Sequence, residues 1–252
     1  DPFLIPPGYL FAYLNSSYGI PIVASGTYGS IIQHLEAQHV ATIPVPRFSK
    51  ELEAKVDKKV AEAAELRCLA SERLHVLERD FYRLAEIPEP FRWADFANPK
   101  CVEVRATEIR NRLDGFYFCE PNQSSELAFA SAEATHLISE VAEVRIPGIF
   151  KRKYADDPKY GVPYVTGGDL FTICPASDKF LLKSVAEEYG LILEKGMVVI
   201  QEAGQVSGII GKSILIGDHL DGFCCSNNMV RLLAQEKEDA GYLYVVLASG
   251  HG

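Results

Sequence analysis

The chain has 252 residues, 48% of them hydrophobic and 10% aromatic, enough to core one large domain or two small ones. Its 25 basic and 34 acidic side chains leave a net charge of −9. That excludes a uniformly basic nucleic-acid binder, although not a local cationic patch.

The first stretch, IPPGYLFAYLNSSYG, places Tyr9, Leu10, Tyr13 and Leu14 on one face of a short helix that Gly19 would end. SGTYGSIIQHLEAQHVATIPVP follows. It reads as a Gly-bearing loop, a helical segment over Ile31 to Leu35, and a brief strand closed by Pro44 and Pro46. From Ser49 to Leu84 there is no Gly and no Pro. Ser49 is a candidate N-cap, and Leu52 makes the first apolar contact. Val56, Val60, Ala63, Ala70, Leu74, Leu77, Phe81 and Leu84 recur at steps of four and three, a heptad seam interrupted by Arg67. The pattern predicts a helical rod of roughly 50 Å at ~1.5 Å per residue. So narrow a stripe needs a partner to bury it.

After the rod, IPEPFRWADFANP is an irregular, Pro-rich connection. From Cys101 the texture changes to short apolar runs between Gly, Pro, Asn and Asp. RLDGFYF would end a short element at Asp114-Gly115. HLISEVAEVRIPG reads as a short helix leading into a strand. GVPYVTGGDLF, EKGMVVIQEAG, GKSILIGD and NNMVRLLA each read as strand-bearing. The expected class is α+β, a β-rich domain joined to a long coiled-coil-forming helix. GYLFAYLNSSYG (8–19) and GYLYVVLASGHG (241–252) also share Gly, Tyr, Leu, Leu, Ser and Gly at matching positions. A two-unit repeat would place such an echo at both ends of the chain.

The chemistry-bearing patterns are few. GQVSGIIGKS (204–213) approaches a phosphate-binding loop, but its first Gly would have to stand at 206, where Val206 is, and no long helix follows; a hairpin turn fits better. Cys224 and Cys225, near Asp218 and His219, fit small buried residues in a strand better than a thiol nucleophile with its base. The six cysteines form no CxxC pair, and no HExxH or paired-carboxylate pattern appears, so no cofactor or metal is expected. Cysteine usage points to a reducing cytoplasm. No apolar run reaches membrane-spanning length.

RIPGIFKRKYADDPKYGVPYVTGGDLF interleaves Lys151, Arg152, Lys153 and Lys159 with Tyr154, Tyr160 and Tyr164. Such a patch binds phosphates by charge while aromatic rings pack against sugar. A solvated loop fits the same residues, since Asp156 and Asp157 partly offset the charge. Gln201, Gln205, Asn227 and Asn228 follow at loop positions. Amide side chains bond adenine edges bidentately, and they also suit turns.

Together these stretches resemble the DNA specificity (S) subunit of Type I restriction-modification systems. The resemblance rests on GYLFAYLNSSYG, GTYGSIIQHL, VATIPVP, AAELRCLASERL, RLDGFYF, FKRKYADDPKYGVPYVTGGDLF, LEKGMVVIQEAGQVSGIIGKSILI and SNNMVRL in that order. It implies that residues 1–48 are the tail of a first target recognition domain and 49–86 a long spacer helix. Residues 87–100 become a linker, and 101–252 most of a second target recognition domain. The family pairs two such helices antiparallel, so the resemblance implies either a fragment of a longer subunit or a half-subunit that self-associates through 49–84.

The implied role is to read half of a bipartite site on double-stranded DNA and to dock methyltransferase subunits, and with them the restriction subunit, without catalysis of its own. Implied DNA-binding residues are Lys151, Arg152, Lys153, Tyr154, Tyr160, Thr166, Gly167, Gly168, Gln201, Gln205, Lys212, Asn227 and Asn228, with Tyr28 and Ser30 in the first unit. The competing classes are a structural adaptor and a fragment of a fused modification enzyme.

Overall fold

The computed structural model describes residues 4–29, 34–89, 103–107, 109, 115, 117–172, 175–204, 208–236 and 239–249. RLDGFYF falls largely outside these, and the connection after the rod is described only through Glu89. The chain divides into two compact units, Asp1–Val76 and Leu77–Gly252.

In the first unit, α1 (Pro7–Leu14) opens with proline in its first turn, where a missing N–H costs nothing. A break follows, and α2 (Gly19–Ala24) begins at Gly19. Gly19 therefore starts a helix and does not terminate one. A β-carbon on it would stand 2.1 Å from the Tyr13 carbonyl oxygen, so the tight reversal needs a glycine. β1 (Thr27–Tyr28) pairs antiparallel with β2 (His34–Leu35), and α3 (Ala37–Ala41) comes after them. The helix expected over Ile31 to Leu35 is thus a strand at His34 and Leu35, with the helical turn displaced to 37–41. Residues 31–33 lie outside the described residues.

The IPVP segment is held by two tyrosine hydroxyls from α1. Tyr9 donates to the Pro46 carbonyl at 2.5 Å and Tyr13 to that of Pro44 at 2.8 Å. The rod α4 (Lys50–Leu84) starts where the sequence predicts it. Ser49 Oγ accepts the Leu52 N–H at 3.3 Å, an N-cap. Glu53, 2% exposed, accepts from Arg47 Nε and Nη2 and from the Phe48 N–H, each at 2.9 Å. The Arg47 hydrogen bond pulls its carboxyl down to about 2. Of the expected seam, Val56, Val60 and Ala63 are half-buried, whereas Ala70, Leu74, Leu77 and Leu84 are exposed.

In the second unit the end of α4 buries Phe81 and Tyr82 with Ile87, against Phe129, Val245 and Val246. Phe129 belongs to α5 (Glu120–Ala130). HLISEVAEVR forms α6 (Ile138–Val141) and β3 (Ala142–Arg145), helix into strand as the pattern predicts. β4 (Gly161–Val165) is followed by α7 (Gly167–Leu170), β5 (Phe180–Leu182) and α8 (Lys183–Glu188). Then come β6 (Val198–Gln201), β7 (Ser213–Leu215), β8 (Cys224–Cys225), β9 (Met229–Ala234) and α9 (Asp239–Ala248).

Two sheets result. The larger runs β3-β9-β6-β7, all antiparallel, and Leu243 of α9 packs with Ala142, Val198 and Leu232. The smaller runs β5-β4-β8, with β4 antiparallel to β5 and parallel to β8. Val165, Leu170, Leu193, Val199, Ile216 and Met229 form the largest core cluster, with contributions from both sheets. This is a mixed α+β fold with one long helix, the expected class. The β6–β7 hairpin spans the Gly-rich stretch that resembled a phosphate loop.

Candidate nucleic-acid interface

The basic run lies in the segment leading to β4. Tyr154 bridges to Leu181 of β5, and the Lys153 carbonyl accepts the Leu182 N–H at 2.9 Å, so the run borders the smaller sheet. Phe150 is packed against the cluster built on Leu181, Val185 and Leu191, which fixes the run at its start. Lys151, Arg152 and Lys153 are all exposed. Arg152 is aimed by a buried neighbour, Tyr164, which is 1% exposed. Arg152 Nε donates to the Tyr164 hydroxyl at 3.0 Å, and the guanidinium carbon lies 6.0 Å from the ring centroid. That bond holds the Arg152 pKa above its usual value, while burial pushes the Tyr164 hydroxyl up. Among the described residues the Arg152 Nη groups, Lys151 Nζ and Lys153 Nζ make no hydrogen bond or ion pair.

Tyr154 meets Tyr164 edge-on at 6.0 Å and is half-exposed. Tyr160 is exposed with Lys159 Nζ 4.6 Å from its ring centroid. Lys159 is paired, 2.9 Å from Asp157, and this contact lowers the Asp157 carboxyl and raises the Lys159 ammonium. Of the four cations in the run, only Lys159 is thus neutralised locally by one of the two aspartates.

A second group gathers where β4, β6 and β8 end. Val165 pairs with Cys225, so the residues after each strand, Thr166–Gly168 and Ser226–Asn228, emerge at the same end. Gln201 closes β6, its N–H bonding the Lys212 carbonyl at 3.0 Å, and the next N–H, of Glu202, bonds the Asn228 carbonyl at 3.0 Å. Thr166, Gly167, Gly168, Gln201, Lys212, Asn227 and Asn228 are therefore brought together.

Their side chains differ in availability. Thr166 is tied to Asp169, with the Thr166 N–H 2.9 Å and Oγ1 2.7 Å from Asp169 Oδ2, which holds the Asp169 carboxyl low. Gln201 is 6% exposed, and its Nε2 donates to the Ala203 carbonyl at 2.6 Å. Gln201 Oε1 and Ser213 Oγ are buried and have no hydrogen-bond partner among the described residues. Lys212, Gly168 and Asn228 are exposed, and Asn227, half-buried, donates its amide to Asn228 Oδ1 at 3.0 Å. Gln205 lies outside the described residues, as does Ser30. Tyr28, in the first unit, is exposed, and its ring lies 5.7 Å from that of His34 at a tilt of 35°. Among the described residues no hydrogen bond or ion pair joins the basic run to the strand-end group.

Two further side chains shape the site, Asp169 and Tyr164. Asp169 was legible, since Thr-Gly-Gly-Asp has capping-box spacing. Tyr164 was noted as one of three interleaved tyrosines, but periodicity could not show that it alone turns inward to orient Arg152. Among the described residues no group of His, Cys, Asp and Glu could hold a metal ion, and no helix is long and apolar enough to cross a membrane.

No family model matches the chain, and no curated protein does. Among solved structures it is similar to the S subunit of a Type-I restriction-modification system from M. genitalium, at 14% identity and a TM-score of 0.36, over 98% of this chain and 54% of that one. It is also similar to the HsdS subunit from Thermoanaerobacter tengcongensis, at 15% identity and a TM-score of 0.37, over 96% of this chain and 53% of that one. The chain spans about half the length of the S subunits it matches.

Proposed function

We propose that the chain is a DNA-reading component of a Type I restriction-modification complex and leaves the chemistry to partner subunits. One observation carries this reading: in an acidic chain, three exposed cations, Lys151, Arg152 and Lys153, stand together without a carboxylate partner among the described residues, and Arg152 is aimed by a buried tyrosine. Holding an arginine outward against self-neutralisation suits a phosphate ligand. Tyr154 and Tyr160 pack against sugar beside it.

The strand-end group reads bases. Asn227, Asn228, Lys212 and Gln205 supply donors and acceptors suited to base edges in the major groove. Thr166, Gly167 and Gln201 hold that loop in shape, and Gly168 lets backbone approach the duplex. Tyr28 and Ser30 do the equivalent for a second half-site. The exposed leucines of α4 dock a second helix, either in a partner subunit or in another copy of the chain, as an apolar stripe requires. Methyltransferase subunits then assemble around the pair. The compartment that suits this role is the cytoplasm.

The test is selection from a random duplex library with the methyltransferase partner present. A split consensus in two short blocks is the expected result. Enrichment without any base preference would sink the reading role, and absence of low-salt binding to any duplex would sink DNA binding altogether.

A further inference from the structure

Arg231 stands on β9, 1% exposed, and its charge meets no carboxylate among the described residues. Backbone carbonyls hold it instead. Nη1 donates to the Met229 carbonyl at 3.0 Å. Nη2 lies 3.3 Å from the Cys225 carbonyl, 3.4 Å from that of Ser226, 3.5 Å from that of Leu191 and 3.1 Å from Cys225 Sγ. Nε is buried with no hydrogen-bond partner among the described residues. Desolvation pulls the guanidinium pKa below its ordinary value. An unpaired buried cation is unfavourable, and an apolar side chain of similar volume is as stable or more so at such a place. Core packing alone therefore gives no reason for an arginine.

The carbonyls it holds are not scattered. β8 ends at Cys225 in the smaller sheet and β9 begins at Met229 in the larger one, so residues 226–228 carry the chain from one sheet to the other. Arg231 bonds Cys225 and Ser226 on the departing side and Met229 on the arriving side. One guanidinium thus clamps both ends of the crossing. Within it Ser226 is 5% exposed, Asn227 is half-buried and Asn228 is exposed.

We propose that Arg231 is a positioning residue for base reading: it sets the path of residues 226–228, and so the angle at which Asn227 and Asn228 meet a base pair. This rests on the assignment of base reading to the strand-end group. Hydrogen bonds to a base edge tolerate little displacement, so loosening the crossing degrades discrimination at the base pair those asparagines read. Arg231 is buried and touches no phosphate, so affinity for random duplex does not depend on it.

The test takes the full chain with its methyltransferase partner and two labelled duplexes, one recovered by selection from the random library and one unselected. Arg231→Met removes every donor and keeps most of the length; Arg231→Lys keeps the charge. Arg231→Met should cut discrimination about tenfold at the base pair where Asn228→Ala also acts, with random-duplex affinity and the salt slope unchanged. Arg231→Lys should recover part of that loss. In the free chain, amide hydrogen exchange should quicken at 226–229 in Arg231→Met and stay as it was in β5, at the far edge of the smaller sheet. Equal loss on both duplexes, or unchanged exchange at 226–229, overturns the proposal. So does failure of both variants to fold, which would make Arg231 a residue of the core alone. A parent chain without base preference sinks the base-reading role and this proposal with it. A parent whose preference survives in Arg231→Met sinks the clamp and leaves the base-reading role standing.

Discussion

Gly167 lies so close to Gln201 that a β-carbon on it would stand 2.2 Å from the Gln201 Oε1 atom. The glycine opens α7 directly after β4, and the glutamine closes β6, so this contact fixes how the ends of the two strands meet. Gly167→Ala must push the amide away or shift the strand end. The expected cost is about 1–3 kcal/mol in denaturant-measured stability, the range for overpacking a closed site. Gly168→Ala is the control, because the nearest atom to its β-carbon, Thr166 Oγ1, is at 3.8 Å. Equal losses for the two variants would show that the contact carries no strain.

The start of the rod is sensitive to acid. The Glu53 carboxyl, bonded by Arg47 and the Phe48 N–H, sits at about 2 against an ordinary 4.5. A depressed carboxyl stabilises the fold above the unfolded value, and that contribution is lost as pH falls through the folded one. Glu53→Gln should therefore melt lower than the parent at neutral pH. The gap should close as pH falls from 4.5 towards 2, read as melting temperature against pH. A gap that stays constant through that window would mean the carboxylate charge is irrelevant and only the side-chain shape counts.

Thiol reactivity should split by burial. Cys224 and Cys225 are buried, and desolvation pushes them up to about 12 and about 11. The thiolate is the reactive form, so both should resist an aromatic disulfide reagent until the chain unfolds. Cys68 is exposed on α4 and should react at once. Cys68→Ser should remove one fast equivalent. A fast phase that instead disappears in Cys225→Ala would place that strand at the surface.

Much of the fold was legible because local signals agree there. Ser49, the Gly- and Pro-free run and the heptad spacing all specify one helix, and its observed start follows from the cap. β6, β7 and β9 are apolar runs flanked by turn residues, which suffices for existence and type. The pattern misplaced the helix near 31–35 because Ile31, Ile32 and Leu35 have helical spacing in a segment too short for spacing to decide. Arg231 was equally illegible. It sits 1% exposed on β9, bonded to the carbonyls of Met229, Cys225 and Ser226 and to Cys225 Sγ, with no carboxylate partner among the described residues, and no short-range pattern signals such a site. In the candidate site the basic run was visible as composition, but which cations are neutralised is a matter of tertiary geometry.

That geometry divides the site by function, and the division is measurable. Phosphate contacts act on every sequence and base contacts on one position. Lys151→Gln and Lys153→Gln should each weaken binding to specific and random duplexes alike and reduce the slope of log affinity against log salt by about 0.9. Arg152→Lys keeps the charge but loses the Nε bond that Tyr164 accepts at 3.0 Å. It should preserve the salt slope and still lose affinity, because a flexible ammonium is not held in place. Tyr164→Phe should reproduce that loss without touching a cation. Asn228→Ala should instead cost about 1–3 kcal/mol at a single base pair and leave the salt slope alone. The five titrations, run on one duplex and its single-position variants, separate charge, aim and readout. If Arg152→Lys and Tyr164→Phe bind as the parent does, the hydrogen bond between them serves packing alone and the aiming role is wrong.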